Sequence, residues 1–238
     1  MNISTMRILL LIYFILLICC IPVSAQTGIL SMPAGDSAIG LGFQYHEPPS
    51  QIEERSCNYQ RRFRANHIRA SLDYHFNPTL KISFVPGIAF LNMPNQQTVD
   101  VPPSPSVKLQ LAAAGPLTTQ KSIDYFLRGA FQTHYTQIHS DGLANHYINM
   151  TVTGGIGVIG KLWITTEWDF NPFFGIFYSY IWHNHSTTRD TFLNDTCNLF
   201  SGEAGIEIEV SPATHIISSV EFSFETSEII YNVGISFR

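Results

Sequence analysis

Read for the alternation of apolar and polar positions, the chain gives one strand after another. From His67 to Phe76 the even positions (Ile68, Ala70, Leu72, Tyr74, Phe76) are apolar or aromatic, and the odd ones (His67, Arg69, Ser71, Asp73, His75) are polar. From Ile123 to Tyr135 one face carries Ile123, Tyr125, Leu127, Phe131 and Tyr135, and the other Asp124, Arg128, Gln132 and His134. Ala204, Ile206, Ile208 and Val210 oppose Glu203, Glu207 and Glu209 in the same way. The last segment sets Ile229, Tyr231, Val233, Ile235 and Phe237 against Glu228, Asn232, Ser236 and Arg238. A period of two marks a strand with two unlike faces; an amphipathic helix would space its apolar residues at three and four.

The punctuation between these segments alternates in length. Asn77-Pro78, Gly115-Pro116, Asn171-Pro172 and Ser211-Pro212 mark short turns, because proline fixes φ and cannot extend a ladder. Between them lie longer polar segments at 47–63, 92–104, 136–145 and 184–198, with a shorter one at 225–227. The pattern predicts strands near 37–46, 64–76, 79–91, 105–114, 121–135, 146–167, 170–183, 199–210, 213–224 and 228–238. In the sixth, Gly154, Gly155, Gly157 and Gly160 either kink one long strand or hide an extra turn. Tyr74-His75-Phe76-Asn77-Pro78 and Trp168-Asp169-Phe170-Asn171-Pro172 repeat a hairpin construction, with no fixed solenoid period.

Two architectures produce such alternation. A soluble β-protein points its apolar face at a core, whereas a membrane barrel points it at lipid. Strands of this length, tight turns alternating with long loops, and aromatics near strand ends (Tyr74, Phe76, Tyr135, Trp163, Trp168, Phe170, Phe173, Phe174, Trp182, Phe222, Phe224) favour the barrel. The fold class expected is all-β: a closed antiparallel up-and-down transmembrane β-barrel of about ten strands, within about eight to twelve. A soluble, secreted lipocalin-like β-protein is the alternative architecture.

The first 25 positions belong to a different category. Arg7 precedes an apolar run from Ile8 to Ile21, and Val23-Ser24-Ala25 supplies the small residues of a cleavage site. The run of about 14 residues is short of the roughly 20 that a spanning helix needs. The expected organisation is therefore a cleaved signal peptide over 1–25 and one barrel domain over 26–238.

Composition narrows the function classes. Of the 238 residues 45% are apolar, 13% aromatic and only 13% charged, which argues against disorder. With 13 Lys+Arg against 18 Asp+Glu the formal net charge is −5, and no basic run offers a nucleic-acid surface, so no nucleic-acid partner is expected.

From Ala25 to Arg238 the chain resembles small bacterial outer-membrane β-barrel proteins, of the OmpA/OmpX-like type and the porin-like superfamily. The resemblance rests on the hairpin Asp73-Tyr74-His75-Phe76-Asn77-Pro78-Thr79-Leu80-Lys81-Ile82 and on the ending Tyr231-Asn232-Val233-Gly234-Ile235-Ser236-Phe237-Arg238. It implies location in the outer membrane of a Gram-negative bacterium, with outer-membrane lipids and the barrel-assembly machinery as partners. It also implies an assembly signal at Tyr231, Val233, Ile235 and Phe237, although Arg238 follows the terminal aromatic here.

In such a barrel the polar face lines the interior. Arg69, Lys81, Lys108, Arg128 and Arg238 would then meet Asp73, Asp124, Glu203, Glu207, Glu209 and Glu221 as a charged network. Such groups are costly unless paired or hydrated. This network suits a structural or surface barrel, or a narrow polar pore. About ten strands leave room for a small passage but not a wide channel. No catalysis, cofactor or metal is expected.

The alternative is an outer-membrane lipid hydrolase of the lipid-A deacylase or phospholipase kind, using Trp182-His183-Asn184-His185-Ser186 or His139-Ser140-Asp141-Gly142. The paired acidic residues of an omptin-type protease are not found. His183 and His185 lack a third ligand for a metal. Cys57 and Cys197, left after signal removal, are the disulfide candidates and are expected in external loops.

Overall fold

The structure, a computed structural model, describes residues 37–47, 64–77, 79–92, 102–117, 123–140, 143–163, 168–187, 192–211, 213–224 and 229–237. It is a closed, all-antiparallel barrel of ten strands. In chain order these are β1 (Ser37–Glu47), β2 (Arg64–Asn77), β3 (Leu80–Asn92), β4 (Ser104–Pro116), β5 (Ile123–Ser140), β6 (Leu143–Gly160), β7 (Asp169–Thr187), β8 (Phe192–Ser211), β9 (Thr214–Ser223) and β10 (Ile229–Phe237). Beyond Lys161, Leu162–Trp163 carries β6 on, pairing with Phe170 and Asp169 of β7. Each strand pairs with its neighbours in sequence, and β1 pairs with β10 from Ile39↔Phe237 to Glu47↔Ile229, which closes the sheet. Closure matters because an open edge leaves a row of unpaired backbone donors and acceptors, which hydrocarbon cannot satisfy.

The alternation read from sequence fixes which way each strand faces. On β2, His67, Arg69, Ser71, Asp73 and His75 are buried, while Ile68, Leu72, Tyr74 and Phe76 are exposed. On β7, Phe173, Phe177 and Ser179 are buried, while Phe174, Ile176, Tyr178 and Tyr180 are exposed. The outside is thus apolar: Ile156 is 57% exposed, whereas Glu207 on the inside is 0% exposed. A lipocalin-like soluble barrel would have the opposite arrangement, so the apolar band is a lipid-facing surface and the soluble alternative is set aside. Among the described residues no helix is long and apolar enough to cross a membrane; the strands do the crossing.

The glycines of β6 neither break the strand nor add a turn; Leu143–Gly160 runs continuously and pairs with both β5 and β7. Two segments expected as loops are strand instead. Thr136–Ser140 pairs with Leu143–Tyr147, and His183–Ser186 pairs with Phe192–Asp195. Residues 1–25, expected to be a signal peptide, and most of the other expected loops lie outside the described residues.

Wall height is therefore uneven. β7 has 19 residues and β8 has 20, whereas β9 has 10 and β10 has 9. A rise of about 3.3 Å per residue and a tilt of about 40° give β7 and β8 roughly 50 Å along the axis, twice the ~25 Å apolar band. The short turns and the chain ends of β1 and β10 share one rim, the periplasmic one in barrels of this construction. The β5–β8 wall projects at the other rim.

Candidate functional site

The site lies in the barrel interior. Near the short-turn rim, side chains brought inward by alternation meet in ion pairs. Lys81 Nζ of β3 lies 3.9 Å from Asp73 Oδ2 of β2. Lys161 Nζ lies 2.7 Å from Asp124 Oδ2 of β5. His215 Nδ1 of β9 lies 3.2 Å from Glu207 Oε1 of β8. Half-buried Glu209 adds a further carboxylate that acts on His215.

A second group spans the middle of the barrel. Arg128 of β5 reaches over two strands to pair with Glu203 of β8. Its guanidinium carbon sits 4.1 Å from the centre of the Phe177 ring of β7. Glu203 also accepts from the Ser219 hydroxyl at 2.6 Å, and Ser219 in turn accepts from Asn232 at 3.4 Å. Glu221 accepts from the Ser201 hydroxyl at 2.8 Å. The charge of Glu221 acts on Arg69, and those of Arg69, Arg128, Glu203 and Glu221 act on Lys108. Pairing of this kind is required, since an isolated charge in this interior would be heavily penalised.

An apolar cluster lies against the ionic groups: Phe126, Ile159, Phe173, Phe177 and Ile217, all inward and buried. Phe126 packs edge-on to Phe173 with centroids 6.3 Å apart, and stacks on Phe177 at 6.4 Å. Glycines make room for the rings. A Cβ on Gly155 would overlap the Phe177 ring, one on Gly157 the Phe126 ring, and one on Gly205 would come within 2.5 Å of Phe173 Cζ. Phe173, expected in an interfacial girdle, is thus an interior residue.

Sequence reasoning missed this cluster because it sorted residues by chemistry, and phenylalanine read as lipid-facing. The available signal was glycine at inward positions of β6 and β7 beside inward phenylalanines. Toward the far rim the interior turns polar again. The His67 and His134 rings meet edge-on at 6.1 Å, and the Ser104 and Thr136 hydroxyls are 2.7 Å apart.

The sequence-selected residues divide as follows. Arg69, Asp73, Lys81, Lys108, Asp124, Arg128, Glu203, Glu207, Glu209 and Glu221 all occupy inward positions, in the two groups above. Tyr231, Val233, Ile235 and Phe237 lie on the outward face of β10, opposite Tyr45, Phe43, Leu41 and Ile39 of β1. Cys197 lies in β8 opposite Ile181 rather than in a loop, its side chain outside the described residues; Cys57 and Arg238 also lie outside them. His183 and His185 are strand residues of β7, opposite Asp195 and Leu193, and their side chains are likewise outside the described set. Among the described residues no group of three or more His, Cys, Asp or Glu could hold a metal ion.

No protein-family model and no curated protein sequence matches the chain. Similar solved structures are outer-membrane barrels. The outer membrane protease OmpT from Escherichia coli is 12% identical, with a TM-score of 0.44, covering 90% of this chain and 99% of that one. Ail, the attachment invasion locus protein of Yersinia pestis, is 11% identical, with a TM-score of 0.36 and coverages of 86% and 98%. The KdgM porin is 6% identical, with a TM-score of 0.33 and coverages of 84% and 98%. At these identities the likeness is one of fold. It nevertheless corrects one expectation. A protease stands among the matched barrels, so barrel architecture gives no ground for expecting this chain to lack catalysis, and that expectation is withdrawn.

Proposed function

We propose that this chain, a small outer-membrane β-barrel protein, acts as a surface barrel with an occluded lumen rather than as a solute pore. The observation that carries the reading is the filled interior. Phe126, Phe173 and Phe177 seat on glycines of β6, β7 and β8, and Arg128, paired with Glu203, lies over the Phe177 ring. A pore lining would instead keep its charges facing a continuous water path. Here carboxylates as deep as Glu203 and Glu207 are 0% exposed.

The projecting β5–β8 wall supports the surface role. Outside, Tyr135 Oη lies 2.6 Å from His146 Nδ1 with the two rings stacked, and Tyr178 donates to Asn198 at 2.9 Å. Tyrosines and histidine with polar tips suit the headgroup zone and the water above it. Such a wall is a rigid platform for contacts outside the cell, and the barrel is its anchor.

Single-channel recording in planar bilayers tests the reading. The wild-type barrel is expected to give no ion-concentration-dependent steps, whereas Phe126→Ala/Phe177→Ala, which empties the middle of the lumen, is expected to conduct. Reproducible steps from the wild type overturn it.

A further inference from the structure

The tall wall is built from β5, β6, β7 and β8, of 18, 18, 19 and 20 residues. Its outward positions are every second residue from Ile123 to Gln137, His146 to Gly160, Phe170 to Ser186 and Thr196 to Val210, matched strand to strand by the registers. None of these is Asp, Glu, Lys or Arg. Over the lower ~25 Å that is the ordinary demand of hydrocarbon. Above the apolar band the demand ends, and a sheet face turned to water ordinarily carries charged side chains. Here the upper outward positions include Tyr135, Gln137, Ile148, Trp182 and Asn184, which are uncharged, and His146, which stacks on Tyr135. An uncharged, aromatic face of this extent outside the hydrocarbon marks a contact surface.

Charge decides between the covers on offer. Lipid headgroups carry phosphate and are met by Lys and Arg, which this face lacks. A second copy of the chain brings the same uncharged face, so no like charges meet across a two-fold axis.

Area and relief agree. A contact stripe two strand spacings wide, about 12 Å, over the ~50 Å wall covers roughly 600 Å² before side-chain relief is counted, near the ~800 Å² per partner of a standard interface. Gly129 and Gly154 pair directly on this face. A Cβ on Gly154 would meet nothing within 4 Å, and one on Gly129 only the Thr153 carbonyl at 4.0 Å. They leave a socket between the exposed Phe131, Val152 and Ile156 side chains, open to a side chain of the other copy.

We infer that the outward face of β5–β8 is a subunit interface, on which a second copy of this chain packs in the same orientation about a two-fold axis along the membrane normal. The inference rests on the projecting wall of the reading above, not on its occluded lumen.

The test is photocrosslinking in intact outer membranes, with p-benzoylphenylalanine placed at Tyr180 of the tall wall or at Leu41 of β1 on the low wall. Irradiation is expected to give a product of twice the single-chain mass from Tyr180 and none from Leu41. Mass spectrometry of that product is expected to find peptides of this chain alone, which keeps the test decisive without any further variant. Gln137→Glu/Ile148→Glu sets carboxylates on the upper wall, clear of the hydrocarbon. With folding checked by heat-modifiable migration on gels, it is expected to lose the doubled product. A Tyr180 product with lipid or with another protein, no product at all, an equal yield from Leu41, or an undiminished yield in the folded charged variant overturns the inference. None of these results bears on conductance, so the occluded-barrel reading stands or falls on its own recording.

Discussion

Replacing Arg128 by methionine removes one partner of an ion pair that the barrel has almost fully desolvated. The side chains of Arg128 and Glu203 are 11% and 1% exposed. After the substitution Glu203 keeps the Ser219 hydroxyl at 2.6 Å and loses the Arg128 guanidinium. Breaking a buried pair from one side typically costs about 3–5 kcal/mol, because the remaining charge stays buried. Loss of the cation held over Phe177 at 4.1 Å adds up to about 2 kcal/mol, and the methionine stem recovers part of the packing.

A net loss of about 3–5 kcal/mol is therefore expected for Arg128→Met, with the same sign for Glu203→Leu. The double variant Arg128→Met/Glu203→Leu is expected to lose far less than the sum, since no charge is left unpaired. Reversible urea unfolding in lipid vesicles, followed by tryptophan fluorescence, measures all three. The reasoning is refuted if Arg128→Met costs under about 1 kcal/mol, the range of exposed pairs. It is refuted equally if the two single losses add.

Gly157→Leu is expected to destabilise by about 1–3 kcal/mol or more through overpacking, because its side chain enters the space of Phe126. Adding Phe126→Ala should restore part of the urea midpoint. Ile156→Arg puts a charge on the lipid face where the wild-type side chain is 57% exposed, and up to about 2–4 kcal/mol should be lost in bilayers. Deleting residues 231–238 removes most of the β1–β10 ladder, so heat-modifiable barrel should disappear and the chain become protease-sensitive. A normal folded yield after that deletion would contradict the role of β10 in closure.

The sequence by itself determined which face of each strand meets lipid, because one side of the barrel is hydrocarbon and the other is not. That contrast writes a period of two into β2, β5 and β10. The prolines were a weaker guide: Pro116 ends β4, but Asn171-Pro172, expected as a short turn, lies inside β7 opposite Glu207 and Ile206. The alternation also brought Arg69, Lys108, Arg128, Glu203 and Glu221 to one face. Where the contrast fades, legibility fades with it. Thr136–Ser140 and His183–Thr187 extend beyond the apolar band, where both faces can be polar, so their alternation is weak and they read as loops.

Only the tertiary structure decided how the interior is filled. Phe126 and Phe177 break the chemical rule while keeping the strand parity, and their positions follow from glycines on neighbouring strands that local pattern does not connect. Partner choice has the same origin. Arg128 meets Glu203, 75 residues away, because the registers of three successive ladders, β5–β6, β6–β7 and β7–β8, carry both to the same part of one wall. Alternation specifies direction, in or out; the register of the closed barrel specifies which inward groups meet.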